Sequence, residues 1–135
     1  MGNTGYSGTP LPQKLGIKPD SKLLLLHIPS DYFDLVGKSV KSQIAVKNGI
    51  PDLIHLFSVS AEEMERDIQA LLPLFEKNPK LICWVSWYKK SAKIPTDITE
   101  DVIRDYAIKN GLVDVKVCAV SEIWSGLKLM KRKQP

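Results

Sequence analysis

Residues 96–131 read TDITEDVIRDYAIKNGLVDVKVCAVSEIWSGLKLMK, and this stretch decides the predicted fold. Residues 96–100 open a predicted helix that ends at 110–111. Apolar and polar residues then alternate over 112–120, as in a half-buried strand, and a second strand is predicted over 124–130 after a short turn. The chain is therefore predicted to end in a helix followed by an antiparallel hairpin.

Three near-continuous apolar runs precede this stretch, over 22–28, 52–59 and 80–85, and each predicts a strand buried on both faces. Ser60 and Glu63 then form a predicted capping box, which is followed by apolar residues at helical spacing. That apolar stripe comprises Met64, Ile68, Leu71, Leu72 and Phe75. Strands that alternate with helices predict a parallel sheet covered on both faces.

The predicted fold class is therefore α/β: a three-layer Rossmann-like, methyltransferase-like domain with a mostly parallel sheet and a C-terminal antiparallel hairpin. A single domain is predicted over 1–135, because no repeat or shift in composition divides the chain. Residues 1–21 are predicted to form an irregular arm that packs partly on the domain. Two further predictions are a short helix that follows Pro29 and ends at Gly37, and a weak strand over 42–46.

The charge balance predicts no basic surface on the body of the domain. The net charge is +4, from 19 basic and 15 acidic side chains, and Lys131, Arg132 and Lys133 supply most of the excess. Residues 131–135 are therefore predicted to form a frayed, solvated basic tail. A nucleic-acid partner is not favoured on this interpretation.

Cysteine usage and the N-terminal sequence predict a cytoplasmic protein without a membrane segment or a metal centre. Cys83 and Cys118 both lie in apolar strand patterns, so we interpret them as small buried hydrophobes rather than a disulfide. No Cys/His cluster has the spacing of a zinc site. No signal peptide is recognised, and the apolar run over 23–26 is far shorter than the ~20 residues of a spanning helix.

A ligand is expected beyond the carboxyl ends of the strands, where open α/β sheets bind their ligands. Three strand ends should converge there with the positive N-terminal end of the helix that begins after Ser60. Lys89, Lys90 and Lys93 favour an anionic ligand, the alternative being a solvated lysine loop. The candidate ligand-binding residues are His27, Ser30, Ser58, Ser60, Ser86, Trp87, Lys89, Lys90 and Trp124.

The loop after the first strand argues against a nucleotide-type cofactor. Nucleotide and S-adenosylmethionine sites need glycines directly after that strand, so that the backbone can approach the ligand. Here Ile28, Pro29 and bulky neighbours fill the loop, and the next glycine is Gly37. Lys47 and Asn48 stand where an acidic residue would hold the ribose hydroxyls. The sequence therefore predicts no bound cofactor.

No catalytic group of residues is predicted. His27 falls at a strand end, but no Ser, Cys or carboxylate partner can be assigned to it, so we interpret it as a hydrogen-bonded residue of the rim. His55 lies in the middle of an apolar strand and is interpreted as a satisfied core residue. The acidic pairs at 62–63 and 100–101 lie at helix starts, where the helix dipole alone explains them.

Five segments of the chain form a recognisable pattern: GYSGTPL at 5–11, KLGI at 14–17, TDITED at 96–101, GLVDVKVCAV at 111–120 and WSGLK at 124–128. In these segments the chain resembles the bacterial domain-of-unknown-function 3052 family. The resemblance implies a small cytoplasmic bacterial protein with a Rossmann-like fold and no assigned catalytic residues. It also suggests that the N-terminal arm, the lysine loop and the Trp-Ser-Gly turn form one functional surface.

The function expected from the sequence is a non-catalytic Rossmann-like binding or regulatory module that takes an anionic small molecule or a protein partner. The alternative is a divergent S-adenosylmethionine-dependent methyltransferase with an unusual cofactor loop. A weaker alternative is a nucleic-acid-binding protein that uses residues 128–133 and 89–93. The edge hairpin could also pair with a second copy of the chain, so a homodimer is a further expectation.

Overall fold

The computed structural model of the protein describes residues 9–44 and 49–133, in which strands and helices alternate along the chain. In chain order the elements are α1 (Leu11–Leu15), β1 (Leu23–Leu26), α2 (Tyr32–Val36), a 3₁₀ helix (Lys38–Gln43), β2 (Leu53–Phe57), α3 (Ala61–Lys77), β3 (Ile82–Tyr88), a 3₁₀ turn (Lys90–Ala92), α4 (Glu100–Lys109), β4 (Leu112–Ala119) and β5 (Trp124–Lys131). Within the described residues, every helix is too short or too polar to span a bilayer.

The strands form one mixed sheet in the order β1-β2-β3-β5-β4. β1, β2 and β3 are parallel, whereas β5 lies antiparallel between β3 and β4. The predicted α/β fold with C-terminal antiparallel strands is confirmed. The last strand is inserted into the sheet, so that β4, with a bulge between Asp114 and Lys116, forms the edge.

Apolar side chains cover both faces of the sheet, because successive strand residues point to opposite sides. On one face, α3 and α4 pack against residues such as Ile54 and Val85, and we call this the α3–α4 face. On the other, α1 and α2 pack against residues such as Leu53 and Trp84, and we call this the α1–α2 face. This arrangement confirms the predicted coverage of both faces.

Part of the predicted irregular arm is the helix α1. Leu15 at the end of this helix is fully buried. Its carbonyl oxygen accepts a hydrogen bond of 2.8 Å from the indole nitrogen of Trp84, which anchors the arm to β3. Residues 1–8 lie outside the described part of the chain.

The weak strand predicted over 42–46 is wrong where the structure describes it. Residues Lys38–Gln43 form a 3₁₀ helix, and only Ile44 forms an isolated parallel bridge, with Leu23 of β1. Residues 45–48, which include Lys47 and Asn48 at the position expected for an acidic ribose-binding residue, lie outside the described residues.

The prediction of a frayed basic tail is wrong for Lys131 and Arg132. Lys131 is the last residue of β5 and still pairs with β4. The ammonium group of Lys131 lies 3.0 Å from the Glu76 carboxylate of α3. The Arg132 guanidinium donates a hydrogen bond of 2.9 Å to the carbonyl oxygen of Ile108 at the end of α4. Residues 134–135 lie outside the described residues.

Gly126 allows β5 to lie close to the side chains of the α1–α2 face. A Cβ atom at this position would lie 3.1 Å from Cγ2 of Val120 and 3.2 Å from Cε3 of Trp84. Both of these side chains are buried, and Trp84 is fully enclosed. A methyl group at position 126 would therefore have to displace packed core atoms, which explains the glycine in the Trp-Ser-Gly segment.

We predict that Gly126→Ala lowers the free energy of unfolding by roughly 1–3 kcal/mol, the usual cost of adding a methyl group to a packed core. Urea denaturation followed by far-UV circular dichroism measures this change. The matched variant Ser125→Ala, at the neighbouring half-buried position, should change the free energy of unfolding by less than ~0.5 kcal/mol. Equal effects of the two substitutions would contradict the packing argument.

Candidate functional site

The carboxyl ends of β1, β2 and β3 lie side by side, because these three strands are adjacent and parallel. This is the edge at which the sequence predicts a ligand. Of the predicted ligand-binding residues, Trp87, Lys89 and Lys90 line a common cleft there. The remaining predicted residues have other surroundings.

The loop before α4 is fastened across the carboxyl end of β2. The Thr96 hydroxyl donates a hydrogen bond of 2.8 Å to the Val59 carbonyl oxygen, and the Ala61 amide donates one of 2.8 Å to the Asp97 carboxylate. The sequence predicts that free amides at the start of α3 face an anionic ligand. The Ala61 amide instead has a carboxylate of the chain itself as its acceptor, so it is not available to an external anion.

Hydroxyl caps begin both of the longer helices. Ser60 accepts a hydrogen bond of 3.3 Å from the Glu63 amide, which confirms the half of the predicted capping box that involves the Ser60 hydroxyl. Thr99 accepts one of 3.1 Å from the Val102 amide, so α4 begins directly after Thr99. The cap therefore lies within the predicted opening stretch, 96–100, whereas Thr96 at the start of that stretch is bound through its hydroxyl to Val59 in the loop after β2.

His27 directly follows β1 and has a left-handed backbone conformation, with φ at 57°, which is uncommon for a residue other than glycine. Its Nε2 atom lies 3.1 Å from the Asp67 carboxylate of α3. His27 therefore has a carboxylate partner that the sequence did not identify, and the contact ties β1 to α3. Ile28 and Phe33 pack against the α1–α2 face, while Ser30 is exposed in the turn between them.

Ser86 lies inside the domain, in a chain of hydrogen bonds with His55 and Tyr32. The Tyr32 hydroxyl is 2.9 Å from Nδ1 of His55, and Nε2 of His55 is 2.7 Å from Oγ of Ser86. All three side chains are buried, so a substrate cannot reach this serine–histidine pair. Burial lowers the pKa of His55 to about 3 and raises the pKa of Tyr32. His55 is a satisfied core residue, as predicted, whereas Ser86 belongs to the core rather than to a ligand site.

Ser58 and Trp124 lie at the same end of the sheet without lining the cleft. Ser58 is buried, and its hydroxyl has no hydrogen-bond partner among the described residues. Trp124 stacks on Tyr88 with ring centroids 4.3 Å apart and meets Phe57 edge-on at 4.9 Å. Trp124 therefore packs the hairpin onto the α1–α2 face.

The cleft, of about 800 Å³, opens where the end of β3, the start of β5 and the loop before α4 meet. Its size lies within the range of small-molecule sites. It is lined by Trp87, Tyr88, Lys89, Lys90, Lys93, Ile94, Pro95, Thr96, Ile98, Thr99, Glu100, Asp101 and Ser125. The lysine loop and the Trp-Ser-Gly turn thus meet at this cleft, whereas α1 lies on the α1–α2 face.

Charges of both signs surround the cleft. The loop after β3 supplies lysines, and the first turn of α4 supplies Glu100 and Asp101. Arg104 contacts Glu100, pairs with Asp101 at 2.6 Å and with Asp114 of β4 at 3.0 Å. Its hydrogen bond to Asp114 lowers the pKa of that carboxyl group. These contacts hold the acidic turn against β4 and fix one wall of the cleft.

The acidic wall of the cleft is the part that the sequence did not reveal. The helix dipole is a sufficient explanation for Glu100 and Asp101 in the sequence, so they are not predicted as site residues. The sequence signal that could have revealed them is the pair of threonines in TDITED, because Thr96 and Thr99 are both able to cap a helix. Because Thr99 is the cap, residues 96–98 belong to the loop before α4. Thr96 and Ile98 line the cleft, and Thr96 and Asp97 form the hydrogen bonds that fasten the loop.

No protein-family model and no curated protein matches this chain. A solved protein in the NADB-Rossmann superfamily from Streptococcus agalactiae aligns with 96% of this chain and 71% of its own length, at 10% identity and a TM-score of 0.54. The B. subtilis m1A22 tRNA methyltransferase aligns with 91% of this chain and 65% of its own, at 11% identity and a TM-score of 0.50. A Streptococcus pneumoniae protein assigned as a tRNA (m1A22) methyltransferase, solved with S-adenosyl-L-methionine, aligns with 93% of this chain and 62% of its own, at 12% identity and a TM-score of 0.50.

The fold is Rossmann-like, of the methyltransferase type. This confirms the predicted fold class. The chain spans less than two thirds of the length of the two tRNA methyltransferases. The main functional expectation, a non-catalytic binding module, is wrong in the light of these structures, because the proteins that share the fold include methyltransferases. The likeness favours the alternative expectation, a divergent S-adenosylmethionine-dependent methyltransferase, over the binding module.

The pKa of His55 gives the protein a pH-dependent stability. Its value in the folded chain, about 3, lies below the ordinary 6.5, so between these values the unfolded chain binds a proton that the folded chain does not. The contribution is fully present above the unfolded value and is lost as the pH falls. We predict a loss of about 2 kcal/mol in the free energy of unfolding between roughly pH 7.5 and pH 5.

Urea denaturation at a series of pH values measures this loss. The variant His55→Gln should lack this component of the pH dependence, because no buried imidazole then remains to be protonated on unfolding. The matched variant His27→Gln, which removes the exposed histidine, should retain it. A pH dependence that survives in His55→Gln and disappears in His27→Gln would refute the assignment.

Proposed function

We propose that this chain is a divergent S-adenosylmethionine-dependent methyltransferase that holds its cofactor in the cleft between β3 and α4. The likeness of its fold to methyltransferases, one of them solved with S-adenosyl-L-methionine, is the observation that carries the proposal. The carboxyl edge of the sheet offers two candidate places for the cofactor, the turn after β1 and the cleft, and a comparison of their residues favours the cleft.

The turn after β1 does not fit the cofactor. No glycine lies between the end of β1 and Gly37, and Ile28 and Phe33 pack into the core on either side of Pro29. Close approach of a ligand to this backbone would require these side chains to leave their packing. A cofactor must therefore be held by other residues of the same edge.

The charges around the cleft fit the methionine portion of the cofactor, which carries a carboxylate, an ammonium and a sulfonium group. Lys90 and Lys93 line the cleft and form no ion pair with any described residue, so their ammonium groups suit the carboxylate. Glu100 and Asp101 suit the two cationic groups. Arg104 keeps these carboxylates in position without entering the cleft itself.

The other walls of the cleft fit the adenosine portion. Trp87 and Ile98 belong to the core of the α3–α4 face and offer an apolar surface for a flat base. The hydroxyls of Thr99 and Ser125 are available to hydrogen-bond ribose oxygens, since Thr99 uses only an acceptor position for its cap. When bound, S-adenosylmethionine supplies an electrophilic methyl group; the chain orients it and limits its exposure to water.

We predict that isothermal titration calorimetry detects binding of S-adenosylmethionine and of S-adenosylhomocysteine. Lys90→Gln should weaken both by roughly tenfold, since it removes a charged contact to the ligand carboxylate. The matched variant Lys80→Gln makes the same change of charge at the opposite end of β3 and should bind as the unmodified chain does.

Two outcomes would contradict this proposal. Failure of the unmodified, folded chain to bind either compound would refute the cofactor. Binding that Lys90→Gln leaves unchanged would refute the cleft as its site, and circular dichroism of each variant verifies that the fold is intact.

A further inference from the structure

The cleft extends to both sides of the sheet at the end of β3. Trp87 and Tyr88 are consecutive residues of this strand, so their side chains point to opposite faces, yet both line the cleft. Trp87 belongs to the core of the α3–α4 face, whereas Tyr88 packs against the α1–α2 face. A flat base that lies on Trp87 therefore cannot also cover Tyr88, and this second side of the cleft stays open when the proposed cofactor is bound.

The pairing of β3 with β5 separates the two sides in the same way. Ser125, whose hydroxyl suits the ribose of the cofactor, is the ladder partner of Trp87, and Trp124 is the ladder partner of Tyr88. The cleft measures about 800 Å³, whereas sites of roughly 300 Å³ upward already enclose small ligands. The cofactor thus leaves room for a second, small molecule on the Tyr88 side.

The Tyr88 ring is held in place from behind. It stacks on Trp124 with ring centroids 4.3 Å apart and an interplanar angle of 26°, and Trp124 meets Phe57 edge-on at 4.9 Å. Both Trp124 and Phe57 are buried, so the stack is fixed to the core. Tyr88 therefore offers the cleft an aromatic surface that a ligand does not have to order on binding.

The loop after β3 adds an apolar and rigid part of the lining. Ile94 is a large apolar side chain that is 38% exposed, and it lines the cleft together with Pro95. The proline restricts Ile94 to an extended backbone, and Lys93 before it has a left-handed conformation with φ at 56°. A ligand that covers Ile94 would remove its apolar surface from water without reordering this loop.

We propose that Tyr88, Ile94 and Pro95 bind a small, planar and uncharged aromatic compound, which is the methyl acceptor of the proposed methyltransferase. The acceptor role rests on the proposed function, whereas the binding of the aromatic compound does not. A planar ring continues the stack of Trp124 and Tyr88, and aromatic pairs gain affinity beyond the area that they bury. An uncharged compound is favoured because Tyr88, Ile94 and Pro95 carry no charge and the charged groups of the cleft suit the cofactor.

Isothermal titration calorimetry of the full chain, saturated with S-adenosylhomocysteine, tests this inference with 2-naphthol and its saturated, non-planar counterpart decahydro-2-naphthol. We expect 2-naphthol to bind roughly fivefold more tightly than the counterpart, the usual contribution of one aromatic pair. Tyr88→Leu should weaken the binding of 2-naphthol by a similar factor, whereas Tyr88→Phe, which keeps the ring, should retain it. The matched variant Tyr106→Leu, at a half-buried tyrosine of α4 outside the cleft, should bind as the unmodified chain does.

Four outcomes would overturn the inference: no binding of 2-naphthol, equal affinity for the two compounds, an unchanged affinity in Tyr88→Leu, or displacement of 2-naphthol by S-adenosylhomocysteine, which would mean that both occupy one place. Titration of each protein with S-adenosylhomocysteine alone separates this inference from the proposed function, and Tyr88→Leu should bind it normally. If the unmodified chain does not bind S-adenosylhomocysteine, the cofactor is refuted, and Tyr88-dependent binding of 2-naphthol to the cofactor-free chain would still support the aromatic site.

Discussion

The hydrogen bond between the Ala61 amide and the Asp97 carboxylate organises the carboxyl edge of the sheet. Asp97 lies in the loop before α4, and Ala61 is the first residue of α3, so one contact of 2.8 Å joins the two helices that cover the α3–α4 face. Thr96 adds a second tie, to Val59 in the loop after β2. Together they decide that the space left for a ligand lies between β3 and α4.

The domain contains two arrangements that look functional in isolation and have structural explanations. The Tyr32–His55–Ser86 chain has the hydrogen bonds of a nucleophile and its base, but it is sealed between β2, β3 and α2. The His27–Asp67 contact is exposed, and it secures the left-handed residue at the end of β1. In contrast, the cleft combines exposure, charges of both signs and an apolar wall.

Local sequence patterns predicted most of the elements, because burial dominates their choice of structure. The apolar runs of β1, β2 and β3, the stripe of α3 and the alternation of β4 all reflect one or two buried faces. The errors arise where tertiary contacts compete with local signals. Thr96 opens the predicted helical stretch, yet its hydroxyl bonds to Val59 in the loop after β2, and Lys131 belongs by sequence to a polar tail, yet it pairs with Glu76.

The candidate site was only half predictable for the same reason. Trp87, Lys89 and Lys90 follow an apolar run directly, so their place at the end of β3 follows from the strand itself. Glu100 and Asp101 reach the cleft because α4 packs beside β4 and Arg104 holds its first turn there. That arrangement depends on residues distant in the sequence, and the helix dipole gave a sufficient local explanation for both acids.

A crystal structure of the chain with S-adenosylhomocysteine tests the central claim most directly. The account predicts electron density for the ligand between Trp87 and the first turn of α4, with its carboxylate towards Lys90. Density for the adenosine beside Pro29, at the end of β1, would contradict it, as would a cleft that remains empty at saturating ligand.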